Sequence, residues 1–457
     1  MPVPTSKPGT KIDKWGYSFI WTEQHILREE TDPLQYESDT LADDALERLL
    51  ALKNEINEKK GAQGAPQGDL YAILRDHHTE DDTLNRFWSE AHAVPDWVDW
   101  EQIERGQKYF SRYALSNLVG FALQGFIAEN SAASRVVEVL VRTGGFSTKQ
   151  LLKRLLDTFQ WLAHVTSSLP ALQPGGDAHI STVRVRLLHA SVRLRIRRLA
   201  AKDPSYFDLD KFGLPCNTLD SIHSISTFSC NQLWLQLPRL GIPVSQQETE
   251  DYVALFRYIA YLLGTPTTHF ETIEKAKLLM ESLYVHDLEV TETSLTVAYN
   301  FIQCVSNLPW PFSISPGFIA AGSRWLNGDD LADQLGLEHP SYIHYLAFAG
   351  QCLLSIELAW VQRLLPFIDD FMVKLFRNLL YTGLIDRKNR TRFAFHWVPQ
   401  AGKVTGKEKS ADSSKPILAR LLAMVTTMGP IELVFLSFLI GHIAFVLVVV
   451  VYMIRCF

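Results

Sequence analysis

The sequence has no C-x-x-C: its five cysteines, Cys216, Cys230, Cys304, Cys352 and Cys456, are scattered. This is neither a zinc site nor a disulfide framework, and it fits a reducing compartment. There is no H-E-x-x-H, no G-x-S-x-G and no Walker or Rossmann glycine loop, which removes zincin, hydrolase and nucleotide-binding readings. E-x-x-H is also missing, and the helices of a ferritin-like di-iron site normally each need one. No cysteine of the C-terminal half sits in a glycine- and arginine-containing loop, so a thiolate-ligated haem is not expected. Basic residues do not dominate either. Forty-four Lys and Arg stand against fifty Asp and Glu, for a net charge of −6, and no basic arm selects nucleic acid. The first residues have no apolar stretch of the kind a secretory signal needs. What survives is chemistry that uses a single histidine, or no metal at all.

Apolar residues make up 47% of the 457 positions, enough for one large domain or two small ones. Periodicity is helical nearly everywhere. Thr40 to Lys60 reads as a charged amphipathic helix, and residues 61–68, GAQGAPQG, as a flexible break. His77 and His78 beside acids invite a metal, but neighbours on a helix point about 100° apart and rarely share an ion. Helices are expected over Trp97–Tyr113, Leu115–Ile127 (apolar all round), Ala132–Val141 and Thr148–Thr166, with a Gly144-Gly145 turn before the last. Further helices follow over Asp220–Leu237, Gln247–Leu263, Ile273–Leu283 and Thr291–Val305. Ser181 to Leu187 alternates as a strand would, yet the run continues for some eighteen residues and is read as helix. Tyr342 to Leu380 is long and apolar, but Glu357, Arg363, Asp369, Asp370 and Lys374 recur in it, so a buried helix pair broken at Pro366 is expected. The fold class expected is all-α, with little strand signal.

One run is of another kind. Leu433 to Ile454 is broken only by Ser437, Gly441 and His442, and at about 1.5 Å per residue it reaches across roughly 30 Å of hydrocarbon. It reads as a C-terminal membrane anchor. Lys403, Lys407, Lys409, Lys415 and Arg420 precede it, and the positive-inside rule then places the body on the cytosolic side. The organisation expected is an N-terminal arm (1–68), a helical catalytic domain (69–400), a basic linker (401–416) and the anchor region (417–457).

The chain is organised around Glu138 to Arg198. Two apolar-periodic segments flank a Pro/Gly turn at Leu169 to Asp177. Arg154 and Thr158, four apart, share a helical face. On the second segment His189 sits among Val185, Leu188 and Val192. A lone histidine on an apolar face is usually a hydrogen-bonded core residue, so spacing alone leaves ligand and core readings open, and His164, His179 and His223 compete, His164 most strongly. A b-type haem would need one neutral imidazole, apolar helices against the macrocycle, and cations for its propionates. His189 supplies the first, and Arg186 and Arg193, within a turn or so of it, are the better candidates for the last.

The R-x-x-x-T pair, the T-G-G-F before it, the G-G-x-x-H turn and V-R-L-L-H-A-S-V-R resemble the rubber oxygenases (latex clearing proteins) and the fungal endoplasmic-reticulum-bound oxygenases of the MpaB type. Val94 to Phe110, L-P-C-N (Leu214 to Asn217) and Leu240 to Gly264 extend the resemblance to about two-thirds of the chain. It implies a helical domain with a globin-like core and a haem b whose iron takes His189. Arg154 and Thr158 would lie near that haem, with Glu138 as the base for an allylic proton, although a partnership of Glu138 with Arg142 or Arg154 is the plainer reading. Asp157 departs from relatives that place a distal-capping lysine beside the pair. The implied activity is cleavage of a C=C bond in an apolar, isoprenoid-like substrate with dioxygen as co-substrate, in fungal-type secondary metabolism at the endoplasmic reticulum. Two alternatives stay open: haem-dependent hydroxylation or oxidation without chain cleavage, and a haem-free tail-anchored protein that binds lipid or scaffolds a partner. Oligomeric state is not legible.

Overall fold

The computed structural model describes residues 7–60, 69–143, 148–306, 308, 312–380 and 428–456. The 61–68 break, the Gly144-Gly145 turn, the 401–416 linker and residues 309–311 of the 309–316 loop lie outside the described residues.

The longer helices, in chain order, are α1 (Thr40–Lys60), α2 (Leu70–His77), α3 (Asp82–His92), α4 (Trp100–Arg112) and α5 (Ala114–Gly120), the last running on as a π-helix over Phe121–Glu129. Then come α6 (Ser134–Arg142), α7 (Thr148–Val165), α8 (Asp177–Lys202) and α9 (Thr218–Asn231), with a second π-turn at Gln232–Gln236. The remainder are α10 (Gln246–Leu262), α11 (Ile273–His286), α12 (Glu292–Ser306), α13 (Pro316–Asn327), α14 (Tyr342–Leu364), α15 (Pro366–Leu380) and α16 (Pro430–Cys456). The all-α expectation holds, and the ambiguous Ser181–Leu187 lies inside the 26-residue helix α8.

Helix starts follow local chemistry. Asp81 accepts from the Thr83 and Leu84 amides, Asp99 from those of Glu101 and Gln102, and Ser245 with Glu248 forms a capping box before α10. Each cap satisfies amides that a helix start leaves unpaired, and is worth about 1 kcal/mol. Among the described residues the one sheet is an antiparallel hairpin, Lys11–Lys14 with Tyr17–Ile20, in the register Lys14↔Tyr17 and Lys11↔Ile20. Its turn puts both Trp15 (φ 47°) and Gly16 (φ 75°) in the left-handed region, as a twist-matched two-residue hairpin requires. The hairpin is bonded to α11: Lys14 Nζ donates to the carbonyls of Tyr284 (2.9 Å) and Leu288 (3.0 Å), and Tyr17 donates to Glu281 (2.7 Å).

α8 is the central strut, touching α1, α7 and α10. α4 packs closely along α10, as α14 does along α16. Between α4 and α10 a Cβ on Gly106 would stand 2.5 Å from the Asp251 carbonyl oxygen. Gly106→Ala is therefore expected to cost about 1–3 kcal/mol through overpacking, read as a lower melting temperature of the detergent-solubilised protein.

α14 and α15 break at Pro366 as expected, but they are not a buried pair. Ala347, Phe348 and Cys352 of α14 enter the core, whereas Leu364, Phe367, Phe371 and Leu379 stand exposed. α16 is long and apolar enough to cross a membrane over Pro430–Arg455, and most of its apolar side chains from Ile440 onward stand exposed.

Candidate functional site

The segment from α6 to α9 encloses a cavity of about 300 Å³. α7 buries Leu151, Leu155 and Leu162 in the core and turns a polar stripe, Lys153, Arg154, Asp157 and Thr158, to the cavity wall. Their i, i+1, i+4, i+5 spacing is what one helical face requires. α8 contributes Val185, Leu188, His189 and Val192 to the same lining, and Phe126, Trp161 and Phe228 add aromatic surface.

Two motifs position these helices. In G-G-x-x-H, Gly175 is left-handed (φ 86°), and a Cβ on Gly176 would collide with the carbonyls of Pro170 and Ala171. His179 fixes the turn: its Nδ1 accepts from the Gly175 amide (3.2 Å) and its Nε2 donates to the Ala91 carbonyl (2.7 Å). Burial lowers its pKa to about 4 and keeps the ring neutral. In L-P-C-N, Cys216 holds a left-handed φ of 51°, uncommon for a residue with a side chain. Asn217 caps α9 by accepting from the Asp220 amide (2.8 Å). That cap sets Asp220, Ser221 and Ser224 on the cavity wall.

The four competing histidines now separate. Both nitrogens of His179 are used as above. His223 is held between Glu129 (Nε2, 2.9 Å) and Asp287 (Nδ1, 2.7 Å). His164 does not line the cavity, while His189 does. Among the described residues none hydrogen-bonds to the His189 ring, and what surface it keeps faces the cavity. Burial, helped by the Arg193 charge, lowers its pKa to about 4. A neutral imidazole aimed into an apolar cavity is the form a metal takes as a ligand.

Arg154 and Thr158 are brought together with His189 on this wall; Glu138, Arg186 and Arg193 are not. Glu138 lies on α6, where its carboxylate accepts from Arg142 (3.3 Å) and from Thr293 Oγ1 (2.9 Å). Arg186 donates to Asp39 (2.6 Å) and Glu90 (2.6 Å). Arg193 donates to Asp43 (2.7 Å) and to the Cys216 carbonyl (2.7 Å). Both arginines border a narrow annexe on the α1 side of His189, and carboxylates of the α1 region and of α3 already hold their charge. The cations on the main cavity wall are Lys153 and Arg154; burial lowers the Arg154 pKa to about 10, which leaves it charged at neutral pH.

Sequence reading missed a buried polar network behind the wall. Arg135 bonds Asp220 (3.2 Å) and Asp287; Asp287 and Glu129 grip His223; and Gln124 (2.8 Å) and Asn231 both donate to Glu129. With the two carboxylates as partners, His223 is raised to about 10 despite its burial and carries a proton. Three carboxylates then face two cations, Arg135 and His223. The shortfall appears at Asp220, where burial wins and the pKa rises to about 6. The available signal was polar residues inside runs that are otherwise apolar, since buried polar groups must be paired. Among the described residues no group of three or more His, Cys, Asp or Glu side chains could hold a metal ion. A prosthetic group that brings its own equatorial ligands needs only the one imidazole.

The fold matches the solved structure of latex clearing protein in its closed state with a TM-score of 0.56 over 79% of this chain and 94% of that one, at 18% identity, a likeness of fold. Among characterised proteins, the rubber oxygenase of Streptomyces sp. (strain K30) is 22% identical over 287 residues, 60% of this chain; the alignment spans 65% of that relative's length. The profile of the family described as ER-bound oxygenase mpaB/B'/rubber oxygenase, catalytic domain, matches residues 111–353, more than half of the chain and all of the cavity wall. The chain belongs to that family of oxygenases.

Proposed function

We propose that the chain is a haem b-dependent oxygenase that cleaves a C=C bond of an apolar, isoprenoid-like substrate. The observation that carries this reading is His189: of the four competing histidines it is the one that faces the cavity with no described residue bonded to its ring. His189 would hold the iron, and Lys153 and Arg154 are better placed for the propionates than Arg186 and Arg193, whose bonds to Asp39, Asp43 and Glu90 instead fix α8 against the α1 region and α3. The haem supplies dioxygen activation. The protein supplies a dry pocket and orientation: aromatic and aliphatic walls take the hydrocarbon, while Arg154 and Thr158 offer donors where oxygen-bearing atoms gather.

Cleavage of a trisubstituted alkene with one dioxygen gives one ketone and one aldehyde, which between them keep every hydrogen of the alkene. No external reductant is needed, and a base that takes an allylic proton must return it. A carboxylate with near-neutral proton affinity suits both steps. Resemblance assigns this role to Glu138. Asp220, on the wall and raised to about 6, is the better placed group, and Glu138 stays with Arg142 and Thr293. Asp220→Asn is expected to lower turnover by about 10²–10⁴-fold. It should also abolish the wild-type rise in rate as pH climbs through about 6, with the absorption spectrum unchanged, whereas Glu138→Gln should keep that limb.

The deciding experiment is incubation with squalene under ¹⁸O₂. Cleavage puts one labelled oxygen in each carbonyl product. A single labelled hydroxyl would establish the hydroxylase alternative, and no labelled product across a panel of isoprenoids would favour a binding protein. Localisation at the endoplasmic reticulum, tail-anchored with the body in the cytosol, is supported by the family's description, by the α16 span and by the Lys403–Arg420 charges preceding it. A role in fungal-type secondary metabolism belongs to the same proposal.

A further inference from the structure

We propose that α15 and the C-terminal end of α14 lie in the lipid bilayer beside α16, so that the catalytic body is seated in the membrane rather than tethered above it. This rests on α16 being a membrane span.

α15 is an amphipathic helix mounted the wrong way round for water. Two of its charges turn inward: Asp369, 3% exposed, takes two 2.8 Å bonds from Arg112 and one of 3.0 Å from Lys108, and Arg377 donates to Ser111 on the same helix, α4, while Asp370 and Lys374 stay exposed. Its apolar side faces out. Phe367 (71% exposed), Phe371 (62%), Leu375 and Leu379 (57%) follow at intervals of four, which sets them in one stripe. Trp360, Val361, Leu364 (70%) and Leu365 continue that surface onto α14. A helix in water buries such a stripe. An apolar stripe of this kind, with Asp370, Lys374 and Asn378 exposed along its flank, marks contact with an apolar partner beside a polar boundary.

The position of α16 says which partner. α14 and α16 run side by side in the same direction: Gly350 lies under the Phe435 carbonyl, so that a Cβ there would collide with it, and Glu357 pairs with His442 at 3.1 Å. Beyond that pair α16 continues only from Ile443 to Arg455, about 20 Å at 1.5 Å per residue. A hydrocarbon core needs roughly 30 Å. For α16 to cross, the turns before His442 must also be submerged, together with the length of α14 beside them. Trp360 to Leu364 lie further along the same direction, and α15 starts from their end. Glu357 and His442 then sit at membrane depth as each other's partner, as polar groups there need one. The exposed apolar face is thus continuous with the lipid-facing surface of the span.

The test uses the full chain, with Cys456 replaced by serine, reconstituted in phosphatidylcholine nanodiscs. Phe371→Cys, Phe445→Cys on α16 and Glu47→Cys on α1 each carry an environment-sensitive fluorophore. Seating predicts blue-shifted emission at 371 and 445, with most of it lost when doxyl-labelled lipid replaces ordinary lipid, and neither effect at 47. Three results overturn it. Water-like emission at 371 with quenching at 445 means a tether. Blue-shifted emission at 371 that lipid quenchers leave intact means that protein covers the face, either residues 381–427 or a second copy. Absence of quenching at both 371 and 445 removes the span itself.

Discussion

Asp287→Ala is expected to cost about 3–5 kcal/mol of stability, because it strips a partner from two largely buried cations at once. Asp287 accepts from His223 at 2.7 Å and from Arg135; His223 and Asp287 are buried and Arg135 keeps 13% of its side chain exposed. His223 has no route to water, and Arg135 has little. The loss should appear as a large drop in melting temperature, with Asp287→Asn falling less because it keeps shape and one acceptor. The effect has a pH signature. His223 is raised from 6.5 to about 10 in the folded chain, chiefly by its bonds to Asp287 and Glu129 against the cost of burial. A raised pKa contributes stability that is complete below the unfolded value and is lost as pH climbs through the folded one. Wild type should therefore weaken between about pH 6.5 and pH 10, and the gap between it and Asp287→Ala should narrow over that window. A gap that is constant with pH would mean that His223 is neutral in the fold.

The second large effect is His189→Ala. Removing even an outer-sphere partner of a metal ligand typically costs 10–100-fold, so losing the ligand itself should lower turnover by more than about 100-fold. The truncation opens a ring-sized space inside a cavity of about 300 Å³, and added imidazole should restore part of the activity. His164→Ala is the control, since His164 does not line the cavity and its loss should leave the spectrum unchanged. Equal losses in the two variants would remove His189 from the role proposed for it.

Much of this was legible beforehand, for definable reasons. Helical periodicity located the long elements because one face of each is buried, and the apolar run at the C-terminus announced α16. The Arg154/Thr158 face and His189 could be read because intervals of four along a helix place side chains in space without knowledge of the fold. Other features depended on long-range partners. The spacing of Arg186 and Arg193 relative to His189 is as expected, but spacing along one helix cannot show that Asp39, Asp43 and Glu90 wait on the other side. The Glu129–His223–Asp287–Arg135–Asp220 chain joins residues up to 158 positions apart in sequence, and nothing local marks its members as mutual partners. The N-terminal hairpin escaped because Trp15-Gly16 is a weak turn signal beside Asn-Gly. α15 misled for a sharper reason: its charges imply a solvent face, and the fold turns Asp369 and Arg377 inward onto α4 while its phenylalanines face out.

The most direct test of the central claim is the absorption spectrum of the full-length protein in detergent, purified and then reconstituted with haem. The account predicts a strong Soret band, one haem b per chain by pyridine haemochrome, and a band that is lost or shifted in His189→Ala and intact in His164→Ala. A chain that takes up no haem on reconstitution, and shows no Soret band, would contradict the oxygenase reading and leave a membrane-seated binding protein in its place.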